Sequence, residues 1–247
     1  MMPFALITGG GKGIGKCIAT ELAKRKYPVL LVARDEKSLQ EHATTLSNTY
    51  GVAAHYLALD LGKVGATQIL MDCIVSNNYN VGILVNNAGI IMRKPAAEHP
   101  DEYWDRVIKI NLDAQFILAR EIGKHMIERG TGKIIFTCSL LSFQGGVNVP
   151  GYAASKGALS SLVKALANEW ASKGVNVNGI APGYIATDNT EALRNDPVRS
   201  KSILDRIPAA RWGETEDFKG ATVFLASDAA AYVHGTILTV DGGWMGR

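Results

Sequence analysis

The sequence predicts an α/β chain organised as a doubly wound, parallel, seven-stranded sheet with helices on both faces. Three observations lead there. Short aliphatic and β-branched runs alternate with longer segments of helical period, the pattern of repeated βαβ units. Most of these runs are apolar nearly throughout, as strands become when helices cover both sheet faces. A glycine cluster, Gly9-Gly10-Gly11-Lys12-Gly13, follows the first run directly and opens the first helical segment.

Taken in order, strands are expected at Phe4–Thr8, Val29–Ala33, Ala53–Leu59, Ile83–Asn86, Lys133–Ser139, Asn176–Ile180 and Thr236–Val240. Helices are expected between them, at Ile14–Lys26, Glu36–Thr49, Ala66–Asn77, Asp101–Glu128, Tyr152–Ser172 and Thr215–Ser227. Right-handed crossovers turn this alternation into a doubly wound fold of the Rossmann type. The interval from Tyr184 to Gly213 breaks the rhythm, with charges of both signs, Pro197, Pro208 and no strand pattern. It is read as a mobile lid over a substrate cleft. No repeat or low-complexity linker divides the chain, so residues 1–247 are expected to form one domain.

Composition narrows the function classes. With 247 residues, 47% of them apolar, the chain can bury one substantial core. Its 26 Lys and Arg against 23 Asp and Glu give a net charge of only +3, without a basic run that could follow a phosphate backbone, so nucleic acid is not an expected partner. Cys17, Cys73 and Cys138 are odd in number and widely spaced, which fits reduced thiols in the cytoplasm rather than a disulfide framework. The five His residues show no metal-ligand spacing, so no metal is expected. The start, Met-Met-Pro-Phe-Ala-Leu-Ile, lacks the pattern of a signal peptide and should be kept as structure. The uncharged stretch 134–155 is too rich in Ser, Gly, Gln, Asn and Pro to span a membrane.

The sequence Thr8-Gly9-Gly10-Gly11-Lys12-Gly13-Ile14-Gly15 sits where a strand turns into a helix. Backbone amides and the helix N-terminus there can face a pyrophosphate, and glycine allows the tight turn and the close approach. No Ser or Thr follows Gly11-Lys12, so this is not a Walker loop. In dinucleotide folds a carboxylate after the second strand holds a ribose 2′-hydroxyl, whereas a cation there accepts a 2′-phosphate. This chain offers Ala33 then Arg34, with Lys12 as a second cation, which favours NADP(H) and leaves NAD(H) open. The alternative is that both are exposed surface charges and that Asp35 caps the next helix. Asp60 can accept from an adenine amino group beside the Leu61 amide, or can cap a helix. Asn86-Asn87-Ala88-Gly89 supplies small residues where the chain would pass beneath the dinucleotide.

Tyr152 and Lys156 stand four apart in an expected helix and share a face. An adjacent ammonium favours the phenolate, so Lys156 can tune a phenol whose ordinary pKa is near 10. Tyr152 would then donate a proton to a developing alkoxide, or take one from an alcohol. Ser139 can hydrogen-bond the substrate oxygen. Singly, each has a structural explanation, since Tyr and Lys at this spacing are common on helices and Ser often opens a turn.

These motifs together, Thr8-Gly9-x-x-x-Gly13-Ile14-Gly15, Asn86-Asn87-Ala88-Gly89, Asn111, Ser139, Tyr152-x-x-x-Lys156 and Pro182-Gly183, resemble the short-chain dehydrogenase/reductase family over nearly the whole chain. The resemblance implies a catalytic set of Asn111, Ser139, Tyr152 and Lys156, with Asn111 helping to hold a water in a proton relay to Lys156. It also implies that Ile185 and Thr187, after Pro182-Gly183, meet the carboxamide side of a nicotinamide.

The second half is similar to sugar-acid dehydrogenases of the 2-deoxy-D-gluconate 3-dehydrogenase and 2-dehydro-3-deoxy-D-gluconate 5-dehydrogenase group. This likeness is carried by Leu141-Ser142-Phe143-Gln144-Gly145-Gly146, Ala181-Pro182-Gly183-Tyr184, Asn189 to Arg194, Ile207-Pro208-Ala209, Arg211-Trp212-Gly213 and Val240-Asp241-Gly242-Gly243-Trp244. The first ninety or so residues resemble general NADP-dependent reductases instead. The expected reaction is therefore hydride transfer between NADP(H) and a secondary alcohol or ketone of a sugar acid. Ser142, Gln144, Arg93, Arg194 and Arg206 are candidates for its hydroxyls and carboxylate, against a salt-bridged lid surface as the competing reading. The rivals are reduction of a 3-oxoacyl thioester and a nucleotide-sensing protein without turnover. Apolar residues beyond one face of the 101–128 and 152–173 helices, among them Phe116 and Leu162, point with the resemblance to a homotetramer.

Overall fold

A computed structural model describes residues 2–246. Its strands are β1 (Phe4–Thr8), β2 (Val29–Ala33), β3 (Ala54–Ala58), β4 (Val81–Asn86), β5 (Gly132–Thr137), β6 (Val175–Pro182) and β7 (Ile237–Val240). They pair in the order β3-β2-β1-β4-β5-β6-β7, and every ladder is parallel. The chain builds outward from β1 to β3 on one side, then crosses back so that β4 lies on the other side of β1. Loops leaving the carboxyl ends of β1 and β4 diverge there and open a crevice, the position at which open α/β sheets take ligands.

Six helices follow the βαβ pattern: α1 (Gly13–Lys24), α2 (Glu36–Tyr50), α3 (Ala66–Ser76), α4 (Asp101–Ile108), α5 (Ala114–Arg129) and α6 (Pro150–Trp170). Alternate strand residues serve opposite cores. Leu6, Leu84, Ile134 and Phe136 pack with Leu118 of α5 and Leu159 and Val163 of α6. Ile7, Leu31, Val85 and Ile135 pack with Ile18 and Leu22 of α1 and Leu39 and Leu46 of α2. Burial on both faces explains why the strand runs carry so little polar alternation.

Three departures from the sequence reading bear on the site. The expected helix 101–128 is broken into α4 and α5 by a wide π turn, Lys109–Asp113, because fully buried Asn111 bonds to the loop after β4 rather than facing outward. Ser139 lies two residues beyond β5 and caps a short 3-10 turn, Leu140–Ser142. The segment 184–213 contains α7 (Glu191–Arg194) and α8 (Pro197–Leu204), and α9 (Lys219–Ala226) follows it. The ends of this segment are tied by a parallel bridge between Ile185 and Gly213. Its buried Ile203 and Ile207 pack with Leu140 and Trp244, so the segment rests against the turn that carries Ser139 and against the C-terminal residues. Among the described residues no helix is long and apolar enough to cross a membrane.

Candidate active site and nucleotide cleft

The glycine turn between β1 and α1 is shaped by close approaches. A Cβ on Gly15 would lie 2.2 Å from the Gly9 carbonyl oxygen and 2.6 Å from Asn87 Nδ2. Gly9 and Gly13 adopt φ of 71° and 55°, a region side chains rarely enter. No side chain caps α1, and its first turn carries no acidic residue, so its leading amides are left for an anion. A dinucleotide pyrophosphate fits this cradle. Gly11 is locked to the β2 side, because its carbonyl accepts a hydrogen bond from Ser38 Oγ at 2.8 Å and its Cα faces Ala33. Lys12 therefore follows directly from the corner where Arg34 stands exposed. Asp35 caps α2 through the Ser38 amide.

His42 of α2 supports the same turn from below. It is 3% exposed, with Nδ1 3.0 Å from the Gly10 carbonyl and Nε2 3.1 Å from Thr20 Oγ1. A carbonyl can only accept, so the neutral ring carries its proton on Nδ1. Burial holds the His42 pKa below 6.5, assisted by the charge of Lys16 and opposed by the Gly10 bond. The unfolded chain thus binds a proton here more readily than the folded one, and the corresponding stability is complete above pH 6.5 and declines as the pH falls below it. The melting temperature is expected to fall more steeply with acidification in the wild type than in His42→Gln. Parallel melting curves across that range would contradict this.

The end of β4 is pinned to the end of β1. Thr8 Oγ1 accepts from the amides of Asn87 and Ala88, both at 3.0 Å, and Asn87 Nδ2 donates to the Thr8 carbonyl at 3.0 Å. Gln115 holds the Ala88 carbonyl at 2.8 Å. Asn111 Oδ1 accepts from the Ile90 amide at 2.9 Å, while its Nδ2 donates to the Ile90 carbonyl at 3.0 Å and Ser155 Oγ at 3.3 Å. Its side chain acts as a bracket on the loop after β4. Gly89 lies between Asn111 and Lys156, since a Cβ there would be 3.4 Å from Asn111 Oδ1 and 3.9 Å from Lys156 Nζ.

Tyr152 and Lys156 project from the first turns of α6, which begins at Pro150, a residue suited to helix starts. Lys156 Nζ lies 5.6 Å from the Tyr152 ring centre and donates to the Thr137 carbonyl at 2.5 Å. Ser139 hydrogen-bonds the Tyr152 side chain. Burial pushes the Tyr152 phenol above its usual 10, while Ser139 and the positive charge of Arg93 pull it back. Burial also brings Lys156 down to about 8. Burial of both groups opposes their charged forms, and the charge of Arg93 favours the phenolate. A phenol kept protonated at neutral pH is in the form that donates a proton.

The remaining candidates are distributed as follows. Asp60 Oδ1 accepts from the Gly62 amide at 2.9 Å and Oδ2 from Arg106 at 3.1 Å. Burial would raise its pKa, but these hydrogen bonds hold the carboxyl below its usual range. Leu61 beside it is buried. Gly183 makes a close approach to the segment after β7, because a Cβ would stand 2.6 Å from Asp241 Cα. Ile185 is buried in the α1 face of the core, and Thr187 stands opposite the glycine turn, with Cγ2 3.8 Å from a Gly13 Cβ. Arg93 donates to the Asn189 carbonyl at 3.0 Å, joining the Tyr152 surroundings to the segment 184–213. Arg206 places its guanidinium carbon over Trp244, 4.0 Å from the ring centre, and Arg194 reaches the Thr187 carbonyl at 3.4 Å. Ser142 Oγ donates to the Lys156 carbonyl at 2.8 Å, and Gln144 is half-buried in the following loop. Of the three arginines proposed for a carboxylate, Arg93 is the one whose charge reaches Tyr152. Sequence reasoning missed the supporting roles of Thr8, His42, Gln115 and Ser155. It also missed Arg106.

Residues 3–198 match the short chain dehydrogenase family. A 2-dehydro-3-deoxy-D-gluconate 5-dehydrogenase of Pseudoalteromonas atlantica is 55% identical over 246 residues, covering 98% of this chain and 96% of that protein. The structure of a protein proposed to be an NAD(P)-dependent gluconate 5-dehydrogenase from Beutenbergia cavernae, solved with bound NADP at low occupancy, superposes with a TM-score of 0.95 at 45% identity, covering 99% and 97% of the two chains. A gluconate 5-dehydrogenase from Burkholderia cenocepacia in complex with NADP and tartrate gives 0.94 at 37% identity, covering 99% and 96%. With the motifs, the sheet order and these matches in agreement, the chain belongs to the short-chain dehydrogenase family.

Proposed function

We propose that this chain transfers a hydride between NADP(H) and a secondary alcohol or ketone of a sugar acid, of the 2-dehydro-3-deoxygluconate or gluconate type. The observation that carries the reading is the meeting of Ser139, Tyr152 and Lys156 beside a glycine cradle whose helix amides no side chain caps. The nicotinamide supplies or accepts the hydride when bound. Ser139 holds the substrate oxygen, Tyr152 gives or takes its proton, and Lys156 and the Asn111 bracket keep that corner in place. Gly9, Gly11, Gly13, Ile14 and Gly15 would take the pyrophosphate, and Lys12 and Arg34 a 2′-phosphate. Asp60 and Leu61 would border the adenine, while Asn87 to Gly89, Pro182, Gly183, Ile185 and Thr187 would line the nicotinamide side. The sugar-acid class is supported by the Pseudoalteromonas relative and by the tartrate-bound Burkholderia structure.

Arg93 is the proposed carboxylate ligand, with Gln144 for a hydroxyl. Replacing Arg93 by Ala is expected to raise KM for a sugar acid about tenfold to a hundredfold, the range for losing a hydrogen bond to a charged group, with little change for an uncharged ketone. Equal effects on both substrates would remove Arg93 from this role. The chain is further read as one domain with a lid over 184–213, and as a homotetramer. Leu112, Phe116, Ala158 and Leu162 form an apolar patch between α5 and α6 that supports subunit contact. Sedimentation as a stable monomer would contradict the assembly.

A further inference from the structure

We propose that Asp188 tempers the preference for the phosphorylated cofactor, by competing with a 2′-phosphate for Lys12; the inference rests on the reading of Lys12 as a phosphate contact. Lys12 belongs to the glycine turn and Asp188 to the lid, 176 residues later, and the two form an ion pair. Both side chains are largely exposed, at 77% and 71%, so either can exchange its partner without leaving a buried charge.

Asp188 is held where it can do this. Thr187 and Thr190 form a capping box around it, Thr190 Oγ1 donates to the Ile185 carbonyl at 2.5 Å, and the Thr187 amide donates to the same carbonyl at 2.9 Å. Thr187 Cγ2 then comes within 3.8 Å of a Gly13 Cβ, so this end of the lid is seated on the glycine turn. Lys12 is anchored from the other side through Gly11, which Ser38 ties to the β2 corner that presents Arg34. A lysine ammonium is a compact charge on a flexible stem and reaches either way. A ribose with a free 2′-hydroxyl leaves the Lys12–Asp188 pair intact. A 2′-phosphate must draw Lys12 away from the carboxylate or share it with one. Asp188 therefore weakens binding of the phosphorylated cofactor selectively, and the cofactor end is poised to use NAD(H) as well.

The test is direct titration of NADPH and NADH, by quenching of protein fluorescence, into the wild type, Asp188→Asn, Lys12→Ala, the double variant and Arg34→Ala. Asp188→Asn is expected to tighten NADPH about twofold to fivefold, the range set by an exposed ion pair, and to leave NADH unchanged. In the Lys12→Ala background the same change should have no effect. If Asp188→Asn weakens NADPH and NADH together, the pair is a lid latch and the proposal is overturned. It is equally overturned if neither cofactor responds, or if the effect persists without Lys12. If neither Lys12→Ala nor Arg34→Ala lowers NADPH affinity relative to NADH, the phosphate reading of these cations has failed, and that outcome is distinct from failure at Asp188 alone.

Discussion

Replacing Tyr152 by Phe is expected to lower kcat about a thousandfold, within the ~10²–10⁴ that a positioned proton donor contributes. The substitution removes a single hydroxyl and its bond to Ser139, a loss of about 1 kcal/mol, so the fold should persist. Ring packing over Lys156 is retained, and cofactor affinity should change far less than turnover. The direction of the pH dependence follows from the raised phenol pKa. Reduction, which needs the protonated form, should hold across neutral pH and decline only on the alkaline side. Oxidation, which needs the phenolate, should rise with pH through the same range. Steady-state rates in both directions, with substrate and cofactor saturating, check this. A Phe variant with unchanged kcat would remove Tyr152 from the chemistry.

Gly15→Ala should be comparably damaging through geometry alone. The added methyl would stand 2.2 Å from the Gly9 oxygen and 2.8 Å from its carbonyl carbon, both backbone atoms that cannot swing aside. Helix α1 must move off the glycine turn, at a cost of about 1–3 kcal/mol in stability. The amides that face the pyrophosphate move with it, and NADPH affinity should fall about tenfold to a hundredfold, the equivalent of about 1.4–2.8 kcal/mol. Gly220→Ala in α9 is the control, because a Cβ there meets nothing within 4 Å. It should gain roughly 0.5–1 kcal/mol from helix preference. Melting curves and NADPH titrations of both variants decide the matter, and normal cofactor binding by Gly15→Ala would contradict the cradle.

Much of this arrangement was legible in the sequence because local pattern and tertiary position agree. Apolar runs such as Val29–Ala33 became strands at the same bounds, since burial on both faces leaves a continuous signature. Tyr152 and Lys156 were brought together by helical spacing, which is independent of the rest of the fold. The break at Asn111 was not legible, because its cause is a pair of bonds to Ile90, a partner 21 residues away. His42 read as an ordinary helix residue, and only packing beneath Gly10 gives it a role. The balance of forces on the phenol also needed coordinates: four-residue spacing places an ammonium near Tyr152 but says nothing of how far burial opposes it. One missed element had a signal. Asp196-Pro197 is a cap followed by a helix-starting proline, and the Asp196 carboxylate does accept from the Val198 and Arg199 amides of α8. Gly183 is also required by its close approach to Asp241, a contact the local sequence does not announce.

The most direct test of the central claim is the appearance of reduced nicotinamide absorbance when the wild-type chain is mixed with NADP⁺ and 2-dehydro-3-deoxy-D-gluconate, or with gluconate. Reduction of the cofactor should require chain, cofactor and sugar acid together, with the reverse reaction on the matching keto acid. Absence of turnover with every sugar acid, alongside rapid NADPH oxidation by an acetoacetyl thioester, would contradict it.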